Sequence, residues 1–480
     1  MRHRVTLVAA ASALLLQSAC SLAPRYERPP LPTSPEYPGE YSGDIAAGAR
    51  AAELGWRDFF ADPRLEALVA AALERNRDLV AALAQIEETQ GLYRIQRAER
   101  LPTVSVGADA ARTRYGPESV ALGGGGSVGA ADQPFTLDRY SLGAGIPAFE
   151  LDLWGRVRNL SEAARRQYLA SIEAARAVRL SLIREVALAY LDVREATERI
   201  QLAEATLNSR REGLAIAQRR LDAGVTSALD FHQSETLLTQ AETELAALRL
   251  TRAQAENALA TLIGGPIQGS LPDALPLERQ VQVETLAAGV PSELLATRPD
   301  ILAAEQQLRA ARADIGAARA AFLPSFTLTG SYGYSSSELD ELVGEDGLTW
   351  SYGPAIDLPI FDFGRRRGNL TAAHARDRLA LANYERAIQI GFQEVANALA
   401  GRRYLAEQVA AQERATLAQR RLANFARARY REGVVSHLEV LDAERNLFAA
   451  EQALLQVRRA EAANLVTLYV ALGGGALDTR

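Results

Sequence analysis

The chain repeats itself, and this duplication restricts what it can fold into more than any other feature. The stretch RYREGVVSHLEVLDAERNLFAAE at residues 429–451 has a weaker copy, RLDAGVTSALDFHQSETLLTQAE, at residues 220–242. Aligning the two turn glycines gives an offset of 433 − 224 = 209 residues, and the same offset carries Gly264 onto Gly473. An offset that holds over roughly a hundred residues indicates a duplicated structural unit.

Each copy has the pattern of a helical hairpin. A long stretch without proline runs into Gly224 or Gly433, and glycine is the usual residue just past a helix end. Ser227 and Ser436 follow three residues later, and serine is a preferred N-cap. We therefore predict two long helices, each folded back on a shorter one and typical of coiled coils or helical tubes. The predicted pairs are 156–222 with 228–263 and 365–431 with 436–472.

The region before each hairpin is duplicated as well, at an offset of 300 − 78 = 222 residues. It begins with a helical pattern, which predicts leading helices at 64–100 and 293–321. After the next Leu-Pro the hydrophobic period changes to two, which predicts β-hairpins at 103–153 and 325–362. One face of these strands is aromatic and aliphatic and the other is small and polar, as in outer-membrane strands. A soluble sheet that covers a core is the alternative.

The repeats divide the chain into segments that follow in order. The segments are a signal peptide at 1–19, an extended arm at 20–62, a first repeat at 63–265, a connector at 266–291, a second repeat at 292–473 and a tail at 474–480. The arm is rich in proline and glycine, so it forms no regular element. Trp56, Phe59 and Phe60 at its end are expected to anchor it against the body of the protein.

The N-terminus has the pattern of a secretory signal. Two arginines precede the apolar run 5–16, and small residues lead to Cys20, the one cysteine of the chain. This arrangement resembles the bacterial lipobox, which implies a covalent lipid (N-acyl and diacylglyceryl groups, such as palmitate) on Cys20. The alternative is an ordinary signal cleavage nearby, which would leave a free thiol.

Composition excludes several classes of function. A net charge of −6 gives no reason to expect a nucleic-acid partner, and one cysteine cannot form an intramolecular disulfide. The four histidines are scattered, so we expect no metal site. We find no catalytic constellation and expect no enzyme. No apolar run after the N-terminus is long enough for a membrane-spanning helix.

Four strands per chain cannot close a barrel, because the smallest single-chain barrels have about 8 strands. Open sheet edges do not occur in lipid, since unpaired backbone groups there cost several kcal/mol each. If the strands lie in a membrane, the barrel is therefore shared between subunits. Two chains would give a filled barrel of about 8 strands, and three would give about 12 strands with an open lumen.

The segment SLAPRYERP after Cys20, the repeated element order and the turns AGVTSALD and EGVVSHLEVLDAE resemble TolC-like outer-membrane factors. The lipidated OprM- or NodT-type branch of efflux channels is the most similar. The resemblance implies an α+β membrane protein: a homotrimeric, 12-stranded outer-membrane β-barrel, with four strands per chain, that continues into a periplasmic helical barrel. It also implies contact with outer-membrane lipid and two protein partners, a periplasmic membrane-fusion adaptor and an inner-membrane RND-type pump.

The two hairpin turns are the first candidate site. By resemblance to the family, Gly224, Val225, Gly433 and Val434 lie at the periplasmic tip and dock the adaptor. The alternative is that both glycines only terminate helices. His232 and His437 lie near the tips, and we expect surface positions for them rather than pH sensing or metal binding.

The second candidate site is a periplasmic gate in the second hairpin, where Tyr430, Leu438, Asp442 and Arg445 match the aperture region of the family. The last three are spaced four and three apart, so they share one helix face. A ring of Asp442 carboxylates would favour cations, and a ring of Leu438 could close the pore by dewetting. Arg445 and Tyr430 would hold Asp442 in links that break on opening. The alternative is an ordinary Asp–Arg pair.

The resulting hypothesis is a passive exit duct of a tripartite (multidrug) efflux system, for drugs or other toxic small molecules. One alternative is a TolC-like duct for type I protein secretion. Another is a lipid-anchored periplasmic coiled-coil scaffold without a pore, which would leave the apolar faces of the β-hairpins unexplained.

Overall fold

The structure is a computed structural model, and it describes residues 21–38, 48–116, 134–266, 270–282, 286–287 and 290–475. The predicted signal peptide, Cys20, most of the tail and the glycine-rich loop of the first β-hairpin lie outside the described residues.

Seven longer helices and four longer strands are found in these ranges. The helices are α1 (Pro63–Arg75), α2 (Arg77–Ala98), α3 (Arg156–Asp222), α4 (Ala228–Ile263), α5 (Pro299–Ala320), α6 (Arg365–Arg431) and α7 (His437–Ala471). The strands are β1 (Ser105–Tyr115), β2 (Phe135–Glu150), β3 (Ser325–Ser336) and β4 (Leu348–Asp357). Shorter elements are helices at Trp56–Phe59 and Leu294–Thr297, 3-10 turns at Ala51–Glu53, Leu277–Arg279, Pro291–Glu293 and Glu345–Gly347, and a parallel strand pair of Ala49–Arg50 with Leu286–Ala287.

The duplication is visible in the elements themselves. The long helices α3 and α6 have 67 residues each, and a glycine with a positive φ precedes both, Gly155 at +74° and Gly364 at +92°. The predicted α+β class, with four strands per chain and an internal duplication, is confirmed. Among the described residues, no helix combines the length and the apolar character needed to cross a membrane.

The predicted unbroken leading helices are wrong, because both are interrupted. The first breaks at Asn76, whose side-chain amide donates to the Leu262 carbonyl (2.8 Å). The second breaks at Arg298, which donates to the Ala471 carbonyl (3.1 Å). Proline at 299 disfavours a helical conformation for the residue before it. At each break, one side chain thus donates a hydrogen bond to a backbone carbonyl in the last turn of α4 or α7, where carbonyls lack a partner within the helix.

These two contacts are copies of one another. Asn76 and Arg298 are 298 − 76 = 222 residues apart, and Leu262 and Ala471 are 471 − 262 = 209 residues apart, the two offsets of the sequence repeat. The duplicated sequence therefore preserves a tertiary contact as well as an element order.

The four longer strands form one antiparallel sheet in the order β1-β2-β3-β4, so β2 of the first repeat pairs with β3 of the second. The register places Tyr332 opposite Trp350 and Leu142 opposite Tyr334, which gathers the apolar residues on one face. Trp350 and Tyr352 on this face are 65% and 73% exposed in the single chain. A β-bulge between Ile146 and Phe149 adds one residue to β2 and brings Phe149 opposite Leu328, on the same face.

The described residues form two compact units, and each contains parts of both repeats. The first unit holds residues 21–28, 88–116, 134–168 and 306–381, including the whole sheet. The second holds 29–38, 48–87, 169–266, 270–282, 286–287, 290–305 and 382–475. The repeats are therefore duplicated sequence units and not separate bodies, because strands and helices of one repeat pack on those of the other.

The second unit has its core around the predicted anchor of the arm. Trp56, Phe59 and Phe60 are buried, and the Phe59 ring stacks on Tyr469 with 4.1 Å between centroids. The buried Asp62 carboxylate accepts hydrogen bonds from the Tyr190 hydroxyl (2.7 Å) and from the backbone N–H of Arg64 (2.9 Å) at the start of α1. The end of the arm is thus fixed by apolar burial and by one fully buried carboxylate.

Candidate functional site

The turns of the two helical hairpins have the same backbone. Gly224 and Gly433 have φ of +72° and +75°, a region that glycine enters without steric cost. The N–H of Val225 donates to the Arg220 carbonyl, and the N–H of Val434 donates to the Arg429 carbonyl, both at 2.9 Å. These bonds close a Schellman motif at the end of α3 and of α6. Both glycines terminate helices, as the sequence pattern predicts.

The two returning helices begin differently. Ser227 caps α4 in a capping box with Asp230, and hydrogen bonds from Thr226 and Ser227 hold the pKa of the Asp230 carboxyl below its usual range. Ser436 has the extended backbone of an N-cap, but within the described residues its side chain makes no capping hydrogen bond. Glu439, three residues on, pairs with Arg429 at 2.8 Å instead. The prediction that the Ser436 side chain caps α7 is therefore wrong, although its backbone has the N-cap conformation.

The predicted docking residues lie at the surface of the turns. Val225 is 64% exposed and Val434 is 65% exposed. An added Cβ at Gly224 or Gly433 would meet no atom within 4 Å. Each turn thus presents an apolar side chain beside an open stretch of backbone.

A cleft of about 600 Å³ lies between the two turns. Arg220, in the last turn of α3, donates to the Tyr430 hydroxyl, and its guanidinium lies 5.6 Å from the Tyr430 ring centroid. The Tyr430 ring in turn lies 5.0 Å from the His437 ring. The structure therefore joins the first hairpin to the second through a residue of the predicted gate.

The other three gate residues lie together on α7. Arg445 Nη2 is 3.2 Å from Asp442 Oδ1, with the side chains 59% and 51% exposed, and Leu438 is exposed one turn earlier. The Asp442–Arg445 link is thus present. In the described part of the chain Tyr430 does not hold Asp442, because its hydroxyl is turned toward Arg220.

Sequence reasoning missed an ionic cluster beside this face. Glu444 lies 2.9 Å from Arg427 and 3.6 Å from Arg210, whose side chain is only 5% exposed. Burial lowers the pKa of the Arg210 guanidinium from its usual value. The charges of Arg210 and Glu444 are visible in the sequence, but their meeting depends on how α3 packs against α7.

The two tip histidines differ from one another. His232 is exposed and lies 2.9 Å from Glu235 on α4. His437 is half-buried, and burial lowers its pKa from the ordinary value. The expectation that both are surface residues is therefore wrong for His437, which α6 covers through Tyr430. Within the described residues, no group of three or more His, Cys, Asp or Glu side chains is placed to hold a metal ion.

The chain matches one protein family over most of its length. The family described as "Outer membrane efflux protein" matches residues 68–265 and 290–474, which include both helical hairpins and all four longer strands.

Named relatives are similar over nearly the whole chain. It is 41% identical to "Outer membrane protein OprJ" of Pseudomonas aeruginosa over 99% of this chain and 97% of the relative. It is also 41% identical to "Toluene efflux pump outer membrane protein TtgI" of Pseudomonas putida, over 96% and 97%. Among solved structures, the open state of the MtrE outer membrane channel of Neisseria gonorrhoeae superposes with a TM-score of 0.85 at 40% identity, over 95% of this chain and 99% of that one.

Proposed function

The chain belongs to the outer membrane efflux protein family, and from this we propose that it is the exit channel of a tripartite efflux system. Its predicted location in the bacterial outer membrane is confirmed by the family, and its role is transport. In the proposed system, an RND-type pump in the inner membrane and a periplasmic adaptor deliver drugs or other toxic small molecules to the channel. The channel conducts them passively to the outside.

The four-stranded sheet carries this proposal. Its apolar face is exposed, with Trp350 and Tyr352 among the most prominent side chains. Within the described chain β1 and β4 each have one edge without a strand partner. In lipid such edges pair with strands of other copies, because no water is present to satisfy their backbone groups. A homotrimer closes the sheet into a barrel of about 12 strands with an open lumen.

The gate of the proposed channel is the exposed face of α7. In a trimer each chain supplies one Asp442 and one Leu438 to the axis. The Asp442–Arg445 pair holds the carboxylate ring in place, and the Arg220–Tyr430 contact holds the two hairpins together. Opening separates the hairpins and breaks the second contact. The adaptor docks on the exposed valines of the two turns.

Lipidation of Cys20 completes the proposal. The residues that follow it are held in the unit that contains the sheet, since Ser21 Oγ donates to Asn159 Oδ1 (2.9 Å) and Arg319 donates to the Leu22 carbonyl (3.1 Å). An acyl chain contributes about 0.8 kcal/mol of membrane affinity per buried CH₂.

Single-channel conductance of purified Asp442→Ala beside the wild type tests the channel and the gate together. We expect small cation-selective openings from the wild type. The variant should be less cation-selective, because it removes the ring of three carboxylates at the axis that favours cations.

The matched control is Glu256→Ala on α4, which removes an acid of the same exposure from the Arg252–Glu256 pair. It should conduct as the wild type does. If Asp442→Ala leaves the openings unchanged, the proposed gate is contradicted and the proposed channel is not. No insertion and no conductance from folded wild type would favour the scaffold without a pore.

A further inference from the structure

A strongly basic pocket in the first unit has no part in the proposed gate. Its volume is about 850 Å³, and it lies where α2, α3 and α5 face the arm residues that follow Cys20. Seven arginines and a single acidic residue, Glu162, contribute to its walls. The like charges repel one another unless anions compensate them.

Partners inside the chain neutralise only part of this charge. Glu162 lies 2.6 Å from Arg166 and 3.5 Å from Arg165. Arg312 is 3.5 Å from Asp377, and its guanidinium lies 5.0 Å from the Tyr26 ring. None of these carboxylates pairs with the remaining arginines at the end of α2 and the start of α3.

Three of the remaining arginines of the pocket are Arg97 in the last turn of α2, Arg100 two residues after that helix, and Arg158 at the start of α3. All three are exposed, and within the described residues none makes a salt bridge. A guanidinium offers a planar fork of N–H donors, which binds phosphate oxygens in a bidentate way. Three such groups around one pocket provide the donors for a phosphate monoanion.

The position of the pocket along the chain indicates where its ligand comes from. Arg100 precedes Val106, an exposed residue of the apolar sheet face, by six residues, a span of at most about 20 Å. Ser21, on the pocket wall, is bonded directly to Cys20, the residue that would carry the acyl anchor. The pocket is therefore close to the edge of the apolar face, where lipid headgroups lie against a membrane protein.

The arm is fixed in this place by close packing. A Cβ added to Gly316 of α5 would lie 2.8 Å from the backbone nitrogen of Ala23 and 2.6 Å from the Asn159 amide nitrogen. Only glycine at position 316 of α5 thus leaves room for the arm to pass over this helix to the pocket. Because the arm forms part of the pocket wall, these arginines line a built pocket rather than a charged helix face that is only solvated.

We propose that this pocket binds the phosphate of an anionic phospholipid headgroup, with Arg97, Arg100 and Arg158 as the principal ligands. The site rests on the proposed placement of the sheet in a membrane. It holds a lipid of the leaflet that carries the acyl anchor, beside that anchor. Basic pockets beside membrane-spanning elements bind anionic lipid headgroups.

The test is calorimetric titration of the purified full-length protein in detergent with dihexanoylphosphatidylglycerol. The variant Arg97→Gln/Arg100→Gln/Arg158→Gln should lose affinity by about tenfold or more, since it removes the three guanidinium charges and their bidentate donors. The control Arg386→Gln/Arg414→Gln/Arg421→Gln removes three exposed arginines of α6 and should bind as the wild type does. Equal losses in the two variants would overturn the site.

Two comparisons make the result specific. The variant Arg97→Lys/Arg100→Lys/Arg158→Lys keeps the charge but lacks the bidentate fork, so its affinity should lie between those of the wild type and the Gln variant. A loss equal to that of the Gln variant would indicate disturbed packing and overturn the proposal. Inorganic phosphate should bind more weakly than the lipid. Equal affinity for phosphate would indicate that the pocket binds a free anion and would overturn the proposal of a lipid ligand.

Conductance measured on the same preparations separates this site from the proposed function. A wild type that conducts and does not bind phosphatidylglycerol contradicts the lipid site alone. A wild type that does not conduct contradicts the channel, whatever the titration gives.

Discussion

At the scale of single residues, the turns of the two helical hairpins are held together by side chains from both hairpins. Tyr430 matches the aperture region by its local sequence, yet its partner is Arg220, more than two hundred positions earlier. The pairing of Arg445 with Asp442 was predictable, because residues three apart share a helix face. The contact with Arg220 was not predictable, because no local pattern reports which hairpins lie side by side.

His437 should make the tip sensitive to acid. Burial lowers the pKa of its imidazole below 6.5, with Arg220 and Arg210 acting in the same direction and Glu444 and Asp230 opposing them. The unfolded segment therefore takes up a proton at higher pH than the folded one. The stability contributed by neutral His437 is complete above about pH 6.5 and falls as the pH drops through that value.

Hydrogen exchange measures this effect. After correction for intrinsic rates, amides at the start of α7 should be about threefold less protected at pH 5.5 than at pH 7.5. The expected loss is small because solvent screens part of the charge of the half-buried imidazolium. His437→Gln should remove the pH dependence. The exposed His232→Gln is the control and should leave it intact, so the reverse pattern would refute the assignment.

At the scale of elements, the sequence predicted where helices turn and missed where they break. Gly224 and Gly433 punctuate strong helical patterns, and local chemistry alone determines those ends. The breaks at Asn76 and Arg298 fall within continuous apolar periodicity, so the pattern conceals them. Proline at 299 was a readable signal for the second break. The first has no proline, but Asn76 caps the start of α2 by accepting a hydrogen bond from the Leu79 N–H (3.0 Å), and asparagine is a preferred N-cap. Its amide also donates to the distant Leu262 carbonyl, a contact that no local pattern reports.

The break in the leading helix requires a glycine at the end of α4. A Cβ on Gly264 would lie 2.8 Å from the carbonyl carbon of Arg75 and closer still to its oxygen. Gly264 also has φ +84°, so Gly264→Ala incurs both backbone strain and overlap. Gly224→Ala is the matched control, with φ +72° and open space around the new methyl group.

Both variants should incur about 1 kcal/mol of backbone strain. Overlap adds about 1–3 kcal/mol to Gly264→Ala alone. Thermal melting of the helical circular dichroism signal in detergent should therefore fall further for Gly264→Ala than for Gly224→Ala. Equal shifts would mean that α4 moves away from α1 without cost.

The sheet shows the same division between local and distant information. Alternating residues predicted two hairpins and their apolar faces. The pairing of β2 with β3 joins the two repeats across Gly143 and Gly333 and could not be read from either hairpin. An extra residue at the bulge after Ile146 is also invisible to a period-two pattern, although it decides which face receives Phe149.

At the scale of the whole molecule, the two faces of the sheet should have opposite tolerance for charge. Tyr352 lies on the apolar face, whereas Ser351 lies on the polar face, where its hydroxyl bonds to that of Ser331 (2.7 Å). An arginine facing lipid at the membrane centre costs about 2–4 kcal/mol in each chain, and one facing a watery lumen costs little.

Membrane fractionation compares these two positions. Tyr352→Arg should lower the fraction of protein that resists extraction from outer membranes by urea, and Ser351→Arg should leave it unchanged. Equal retention of both variants would contradict lipid contact on the apolar face and the shared barrel with it.

The matching turns of the two hairpins also determine how many copies of a partner each chain can bind. Each chain displays the same Schellman backbone and the same exposed valine twice, but with Ala223 in one turn where Glu432 stands in the other. A partner that recognises only the backbone and the valine finds two places per chain. A partner that requires the Glu432 carboxylate finds one. The stoichiometry of a bound adaptor, measured per channel, therefore reveals which of the two features it reads.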